Sequence, residues 1–66
     1  DTGFVMAHYL LGRHWMAKGR SADGRRALRN ALRLAAALPP DTALPEGDGM
    51  VAGDVARAVR ATIGAA

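Results

Sequence analysis

Residues 11–32, LGRHWMAKGRSADGRRALRNAL, decide the fold of this chain because they hold two helical runs around one sharp break. Alanine, leucine and arginine, all strong helix formers, fill these runs, and the stretch has no β-branched residue. Gly19 stands where a helix ends easily in a left-handed conformation, and Ser21 stands where an N-cap is favoured. The stretch therefore predicts two helices joined by a tight turn.

Working outward from this turn, the first helix is predicted over residues 3–18 and the second over residues 22–38. Spacings of three and four residues predict the inward face of each helix. In the first helix this face holds Phe4, Ala7, Leu11 and Trp15. In the second helix it holds Leu28, Ala31, Leu32, Ala35 and Leu38. The prolines at 39 and 40 are expected to end the second helix because neither can donate a backbone hydrogen bond.

Residues 39–50, PPDTALPEGDGM, hold all three prolines of the chain and predict a connector, with Leu44 as its apolar anchor. A third helix is predicted over residues 50–63, with Asp48 as its N-cap. Apolar residues recur every four positions along it, and a terminal repeat needs such a helix as a cover. The residues expected to cover the open side of the hairpin are Val55, Val59 and Ile63. The chain is thus divided into a helix-turn-helix over 1–38, a connector over 39–50 and a capping helix over 51–66.

The composition bounds the class of protein. A chain of 66 residues is too short for a Rossmann sheet or a barrel, and its 15 alanines and eight arginines favour an all-α fold. The absence of cysteine excludes disulfides and thiolate metal sites and fits a reducing, cytoplasmic location. No run of 18 apolar residues occurs, so no membrane span is expected. A core this small is marginal by itself, so a partner chain or a missing upstream domain is expected, and Asp1 in place of methionine suggests an excised segment.

The two predicted helices resemble a tetratricopeptide repeat, a 34-residue unit of two antiparallel helices. The residues in register with its consensus are Leu11-Gly12, Trp15, Gly19, Gly24, Leu28 and Ala31-Leu32, so the resemblance covers residues 5–38. In this register Gly12 and Gly24 let the two backbones approach closely, and Trp15 and Leu28 fill the space between the helices. The chain departs from the repeat at Gly24, where alanine is usual, and in the late position of its terminal proline.

The tail narrows the resemblance to one family. The chain looks like the C-terminal tetratricopeptide region of bacterial CheR-class chemotaxis receptor methyltransferases. The motifs that carry this likeness are AHYLLG at 7–12, RRALRNALRL at 25–34, LPPDTALPEGDG at 38–49 and VAGDVARAV at 51–59. The family commonly begins its terminal helix with Thr-Ala-Gly, whereas this chain has Val51-Ala52-Gly53.

The resemblance implies a protein–protein interaction or scaffolding segment that is not catalytic by itself. The parent enzymes transfer a methyl group from S-adenosylmethionine to receptor glutamates in a separate α/β domain, whose cofactor motifs do not occur in this sequence. No catalytic, cofactor-binding or metal-binding residue is therefore predicted, and no cofactor. His8 and His14 stand about 240° apart around a helix, so they cannot hold one metal ion from the same helix.

Two groups of residues are candidates for binding a partner. In the repeat register, the concave side of the first helix holds Met6, Tyr9, Arg13 and Met16. The second group is a basic patch, Arg25, Arg26, Arg29 and Arg33. Residues 13–33 hold seven basic residues and one acidic residue, a charge that suits an acidic protein surface. The plain alternatives are that the first group packs against a preceding repeat and that the second is a solvated helix face.

Two other functions stay open. One is a small basic helical domain that binds nucleic acid, although the sequence has no interleaved aromatic platform and no flexible basic tail. The other is a structural module that self-associates through its first helix, because one isolated repeat has little core.

Overall fold

A computed structural model describes residues 2–64 and shows three helices within that range. They are α1 (Thr2–Ala17), α2 (Ser21–Ala36) and α3 (Ala52–Ile63). α1 and α2 pack along each other as an antiparallel hairpin, and α3 packs mainly against α2. Over these residues the chain forms no strand beyond a single bridge between Ala43 and Val51. The predicted all-α class is confirmed.

The turn between α1 and α2 is a glycine-ended Schellman turn. Gly19 has a φ of +80°, a left-handed conformation that costs glycine little. Its N–H donates to the carbonyl oxygen of Met16 at 3.1 Å, and the N–H of Arg20 donates to the carbonyl oxygen of Trp15 at 2.9 Å. The expectation that Ser21 caps α2 is wrong. Ser21 is the first helical residue, and the N-cap is Arg20, which makes no side-chain capping bond, because α2 begins directly after the turn.

α1 and α2 approach most closely where two glycines face each other. A Cβ atom on Gly12 would lie 2.6 Å from both Cγ and Cδ2 of Leu28, and one on Gly24 would lie 2.6 Å from Sδ of Met16. Each added Cβ would also lie 3.1 Å from the carbonyl oxygen of the other glycine. Carbon atoms in contact are normally about 3.5–4.0 Å apart, so a side chain at either position would require a neighbouring group to move. The expected close approach of the two backbones is confirmed.

The face of α1 that lies against α2 is not the predicted one. Its members are Val5, Met6 and Gly12, which are buried, and Tyr9 and Met16, which are half-buried. From the predicted face, Phe4 is 58% exposed and Leu11 is 45% exposed. Ala7 is also exposed, and Trp15 is half-buried. Apolar residues lie on nearly every side of α1, so their spacing does not select one face. The close contact at Gly12 does select it, because only the glycine side of α1 can come this near to α2.

The predicted inward face of α2 is confirmed. Its buried members are Leu28, Ala31 and Ala35, and its half-buried members are Leu32 and Leu38. The helix ends at Ala36, two residues before the predicted end. Leu38 precedes Pro39, and the proline ring disfavours the helical conformation of the residue before it. The proline signal therefore marks the end of α2 two residues late.

The connector follows a hydrogen-bonded path from α2 to α3. Leu44 is 6% exposed and anchors the connector in the core, as predicted. Its N–H donates to the carbonyl oxygen of Met50 at 3.2 Å, and the N–H of Gly47 donates to the carbonyl oxygen of Leu44 at 3.0 Å. Residues 44–50 therefore close a compact loop. Asp48 lies within this loop with a φ of +54°, so the prediction that it caps α3 is wrong.

The first turn of α3 is capped by the connector's backbone. The N–H of Ala52 donates to the carbonyl oxygen of Thr42 at 2.9 Å, and the N–H of Gly53 donates to that of Pro40 at 2.8 Å. The N-cap residue is Val51, and its N–H donates to Oδ2 of Asp54 at 3.1 Å. These bonds use N–H groups that no earlier turn of the helix can satisfy. The connector thus fixes where α3 begins, at Ala52.

α3 closes the hydrophobic core beneath the hairpin. Val55 and Val59 are fully buried, and Ile63 is half-buried against the same core. The expected covering role of these three residues is confirmed. Arg57 and Arg60 are exposed on the other side of α3. The buried core residues are Val5, Met6, Leu28, Ala31, Ala35, Leu44, Ala52, Val55, Ala56 and Val59.

Candidate functional site

The four residues predicted for the concave face do not form an accessible groove. Met6 is 5% exposed and belongs to the core, and Tyr9 and Met16 are half-buried and pack against that core. Arg13 alone is exposed, with its guanidinium carbon 5.7 Å from the centre of the Tyr9 ring. The expected groove is wrong because the glycine contact turns this side of α1 toward the rest of the chain.

The predicted basic patch is a continuous exposed face of α2. Its members, Arg25, Arg26, Arg29 and Arg33, are all exposed. Within residues 2–64 the two ion pairs are Arg20–Asp23 at 2.7 Å and Arg57–Asp54 at 2.8 Å, and neither involves the patch. Within the described residues, Nη2 of Arg33 donates a long hydrogen bond to Oδ1 of Asn30 at 3.4 Å. The patch therefore presents four positive charges that no carboxylate of the described chain neutralises.

A groove runs between α1 and α2 on one side of the hairpin, and we call it the α1–α2 groove. It is an open depression of about 210 Å³. Its lining residues are His8, Leu11 and Trp15 from α1 and Asp23, Arg26, Ala27 and Asn30 from α2. One wall is thus mostly apolar, and the other wall is polar and carries a member of the basic patch. The groove therefore places the apolar residues of α1 beside a member of the basic patch, although the two groups are far apart in the sequence.

One end of the α1–α2 groove is organised by Trp15. The Arg20 guanidinium carbon lies 4.7 Å from the centre of the indole ring, a cation–π distance. The same guanidinium contacts the Asp23 carboxylate at 2.7 Å. The His14 ring meets the indole edge-on, with 5.2 Å between ring centres. Trp15 is therefore half-buried by the turn rather than wedged in the centre of the helix interface.

A second, larger cavity of about 460 Å³ lies between the end of α2 and α3. Its walls are mostly alanine and glycine, closed by Leu38 and Pro40, and its rim carries Arg57 and Arg60. The Arg57 guanidinium is already paired with Asp54. This cavity presents small apolar groups and one arginine, Arg60, that pairs with no carboxylate of residues 2–64, a combination with little chemical specificity.

Neither metal chemistry nor a membrane span finds support in residues 2–64. No cluster of three or more histidine or carboxylate side chains in this range could hold a metal ion. No helix of the described chain is long and apolar enough to cross a membrane. His8 lies in the α1–α2 groove and His14 stands against Trp15, so the two imidazoles have separate surroundings.

Comparison with known proteins finds no matching family model, no matching curated protein and no matching solved structure. The site must therefore be interpreted from its own geometry. Sequence reasoning identified the basic patch but missed the α1–α2 groove, because it placed Leu11 and Trp15 in the core. A signal for the groove was present, since His8, Leu11 and Trp15 follow the three-and-four spacing of one helix face.

Proposed function

We propose that this chain is a protein–protein interaction segment of a chemotaxis-type, S-adenosylmethionine-dependent receptor methyltransferase, and that it works in the cytoplasm. In this proposal the α1–α2 hairpin is a tetratricopeptide-like repeat, and α3 is its terminal cap. The chain contributes binding, and the methyl transfer to receptor glutamates takes place on a separate catalytic domain. No step of that chemistry is assigned to residues of this chain.

The observation that carries the proposal is the contact between Gly12 and Gly24. The repeat register calls for small residues at these two positions so that the helices can approach closely. An added Cβ at Gly12 would stand 2.6 Å from the Leu28 side chain, so the interface tolerates no larger residue there. Leu28 and Ala31, at the next register positions of α2, are 1% and 0% exposed. The register of the repeat and the packing of the hairpin thus agree at each of these residues.

Two further features support an interaction role. α3 buries Val55 and Val59 completely, which is what a terminal repeat requires to stay soluble. Elsewhere on the hairpin, Phe4 and Leu11 lie seven residues apart on one face of α1 and stay 58% and 45% exposed. Large apolar groups exposed along one helix face are typical of an interaction surface. The chain therefore has one side covered by α3 and an apolar face left exposed, as expected for the last repeat of a repeat protein.

The test measures binding of the fluorescently labelled chain to three purified samples at about 0.15 M salt, where screening is physiological. The samples are the catalytic domain of a CheR-class methyltransferase, the cytoplasmic region of a chemotaxis receptor, and a mixed-sequence DNA duplex. Saturable binding to either protein, with weaker binding to DNA, supports the proposal. Binding to neither protein overturns it. Preference for the duplex, with affinity falling steeply as salt rises, would instead identify a nucleic-acid-binding domain.

A further inference from the structure

We propose that the α1–α2 groove binds an acidic amphipathic helix of another protein. This inference rests on the proposed interaction function and adds to it the surface and the chemistry of the partner. The groove has an apolar wall on α1 and a basic wall on α2, and each wall has the spacing of one helix face. The partner that fits both walls is a helix with an apolar stripe bordered on one side by carboxylates.

The apolar wall follows a single stripe along α1. Phe4, His8, Leu11 and Trp15 are separated by four, three and four residues, which places them on one side of the helix. Three of them line the groove, and Phe4 extends the stripe by one turn. Phe4 and Leu11 are 58% and 45% exposed, so the stripe offers apolar area that a partner can still bury. A partner helix would meet it with apolar residues at the same spacing.

The basic wall runs along α2 beside this stripe. Arg26 and Asn30 line the groove, and Arg33, whose Nη2 lies 3.4 Å from Oδ1 of Asn30, continues the wall beyond it. Arg26 and Arg33 are seven residues apart, about 10.5 Å along a helix. Two carboxylates separated by two turns of a partner helix would match this distance. Arginine also suits carboxylate recognition because its planar guanidinium can donate two parallel hydrogen bonds.

The groove has one carboxylate in its lining, and that carboxylate is already paired. Asp23 contacts Arg20 at 2.7 Å, and Arg20 in turn covers the Trp15 ring. The charge of Asp23 is therefore neutralised by Arg20 at the end of the groove near the turn. The positive charge of Arg26 and Arg33 dominates the rest of the groove, which directs the choice of partner toward an acidic one.

Charge also argues against a second copy of this chain as the occupant. Two copies meeting through their grooves would bring two basic walls together, and like charges facing each other disfavour association. Between residues 34 and 66 the acidic residues lie in the connector and the first turn of α3, at Asp41, Glu46, Asp48 and Asp54. None of these is on α1 or α2. An acidic helix of a different protein can bind to both walls of the groove, whereas a second copy of this chain can bind favourably only to the apolar wall.

The probe is a fluorescein-labelled helical peptide with leucines at three-and-four spacing and two glutamates seven residues apart beside them. Its matched control carries glutamine in place of both glutamates. Binding to the 66-residue chain is followed by anisotropy. We expect the glutamate peptide to bind about tenfold more tightly than the glutamine peptide, since an exposed ion pair is worth about two- to fivefold in affinity.

The basic wall is tested with two matched pairs of substitutions on α2. Arg26→Gln/Arg33→Gln removes the basic wall, and Arg25→Gln/Arg29→Gln removes the same charge from the part of the patch that does not line the groove. We expect about a tenfold loss of affinity for the first pair and less than twofold for the second. Circular dichroism at 222 nm checks that both variants stay folded, and their exposed positions predict that they do.

The apolar wall is tested by Leu11→Ala, with Leu10→Ala as its control. Both leucines are about half exposed, at 45% and 50%, but Leu10 points about 100° away from Leu11 around α1 and does not line the groove. We expect about a tenfold loss of peptide affinity for Leu11→Ala and little change for Leu10→Ala.

Several results would overturn the inference. Equal binding of the glutamate and glutamine peptides, or equal losses of affinity from both arginine pairs, would rule out an acidic helix as the partner of the groove. Sedimentation as a dimer that Leu11→Ala dissolves assigns the groove to a second copy. Binding of a DNA duplex that weakens equally for both arginine pairs assigns the patch to nucleic acid. If a receptor or methyltransferase domain binds with the same affinity to Leu11→Ala and to Arg26→Gln/Arg33→Gln as to the parent, the groove is not the binding site, but the proposed function stands. If no protein binds, both the groove and the proposed function are refuted.

Discussion

Replacing Gly12 with alanine tests the closest contact between α1 and α2. The new methyl group would be placed 2.6 Å from Cγ and Cδ2 of Leu28, about 1 Å closer than carbon atoms normally pack. Leu28 is 1% exposed, and Cγ is the branch point of its side chain, so the leucine cannot simply swing away. The carbonyl oxygen of Gly24, at 3.1 Å, blocks the methyl group from another side. Relief requires the helices to move apart.

Two terms of opposite sign set the magnitude. Alanine in place of glycine inside a helix stabilises it by about 1 kcal/mol. Overpacking a tight core by one carbon costs about 1–3 kcal/mol. The upper part of this range, about 2–3 kcal/mol, applies here because the closest contact is with the branch point of a buried leucine. We expect Gly12→Ala to lower the free energy of unfolding by about 1–2 kcal/mol, and the midpoint by about 7–14 °C for a domain of this size. Gly12→Leu, which is larger, should cost more.

Gly24→Ala is the matched control from the other side of the same contact. Its methyl group would meet Sδ and Cγ of Met16, 2.6 and 2.7 Å away, and the carbonyl oxygen of Gly12 at 3.1 Å, the same backbone distance as in Gly12→Ala. Met16 is half-buried and unbranched, so it can adopt another rotamer at small cost. The gain in helix propensity and the cost of moving Met16 then nearly cancel, and we expect a change of less than about 1 kcal/mol.

The assay is thermal and urea unfolding followed at 222 nm, with Leu28→Met as a second background. Methionine keeps the volume of leucine and a Cγ atom but lacks the Cδ2 branch, so it relieves one of the two side-chain contacts and should restore part of the stability that Gly12→Ala removes. If Gly12→Ala melts at or above the parent, as an exposed helix glycine would, then the close approach of the helices is wrong. The tetratricopeptide register would be lost with it.

Two further predictions concern α3. Asp54→Ala removes the acceptor of the Val51 N–H and should lower the free energy of unfolding by about 1 kcal/mol. Arg57→Gln breaks only the exposed ion pair of Asp54 and should change it by less than half as much. Equal effects of the two variants in urea unfolding would refute the capping role. Val59→Ala leaves a cavity at a fully buried position and should lower the free energy of unfolding by about 2–3 kcal/mol. Ile63→Val, at a half-buried position, should lower it by less than about 1 kcal/mol. A Val59→Ala variant that unfolds like the parent would show that α3 does not cover the core.

The positions of the three helices follow from local sequence signals. Gly19 ends α1 through a left-handed conformation, and the proline pair near position 39 stops α2, because both effects act on the backbone within one or two residues. The helix starts were less predictable. Ser21 and Asp48 are suitable cap residues, but α2 begins directly after a Schellman turn, and α3 begins where carbonyl groups of the connector reach its first N–H groups. Those carbonyls are contributed by Pro40 and Thr42, ten or more residues earlier in the chain.

The candidate site was predictable in part for the same kind of reason. The four arginines of the basic patch had to be exposed, because α2 has a single apolar face and the arginines lie outside it. The groove beside them depends on two helices at once, so a pattern along one helix could not define it. His8 and Asn30 come together there although 22 positions of sequence separate them.

The sequence by itself determined an all-α chain and the covering of the core by Val55 and Val59. Both follow from a local property, helix propensity or a four-residue repeat of apolar groups, whereas the contact between Gly12 and Gly24 was expected only from the resemblance to a tetratricopeptide repeat. The tertiary structure alone decided which way α1 faces. α1 is apolar nearly all round, so burying Met6 and exposing Phe4 gains about as much as the reverse, and hydrophobic spacing cannot choose between them. Steric fit chooses, because close packing against α2 is open to the glycine side of α1, and that orientation leaves Leu11 in solvent beside the arginines.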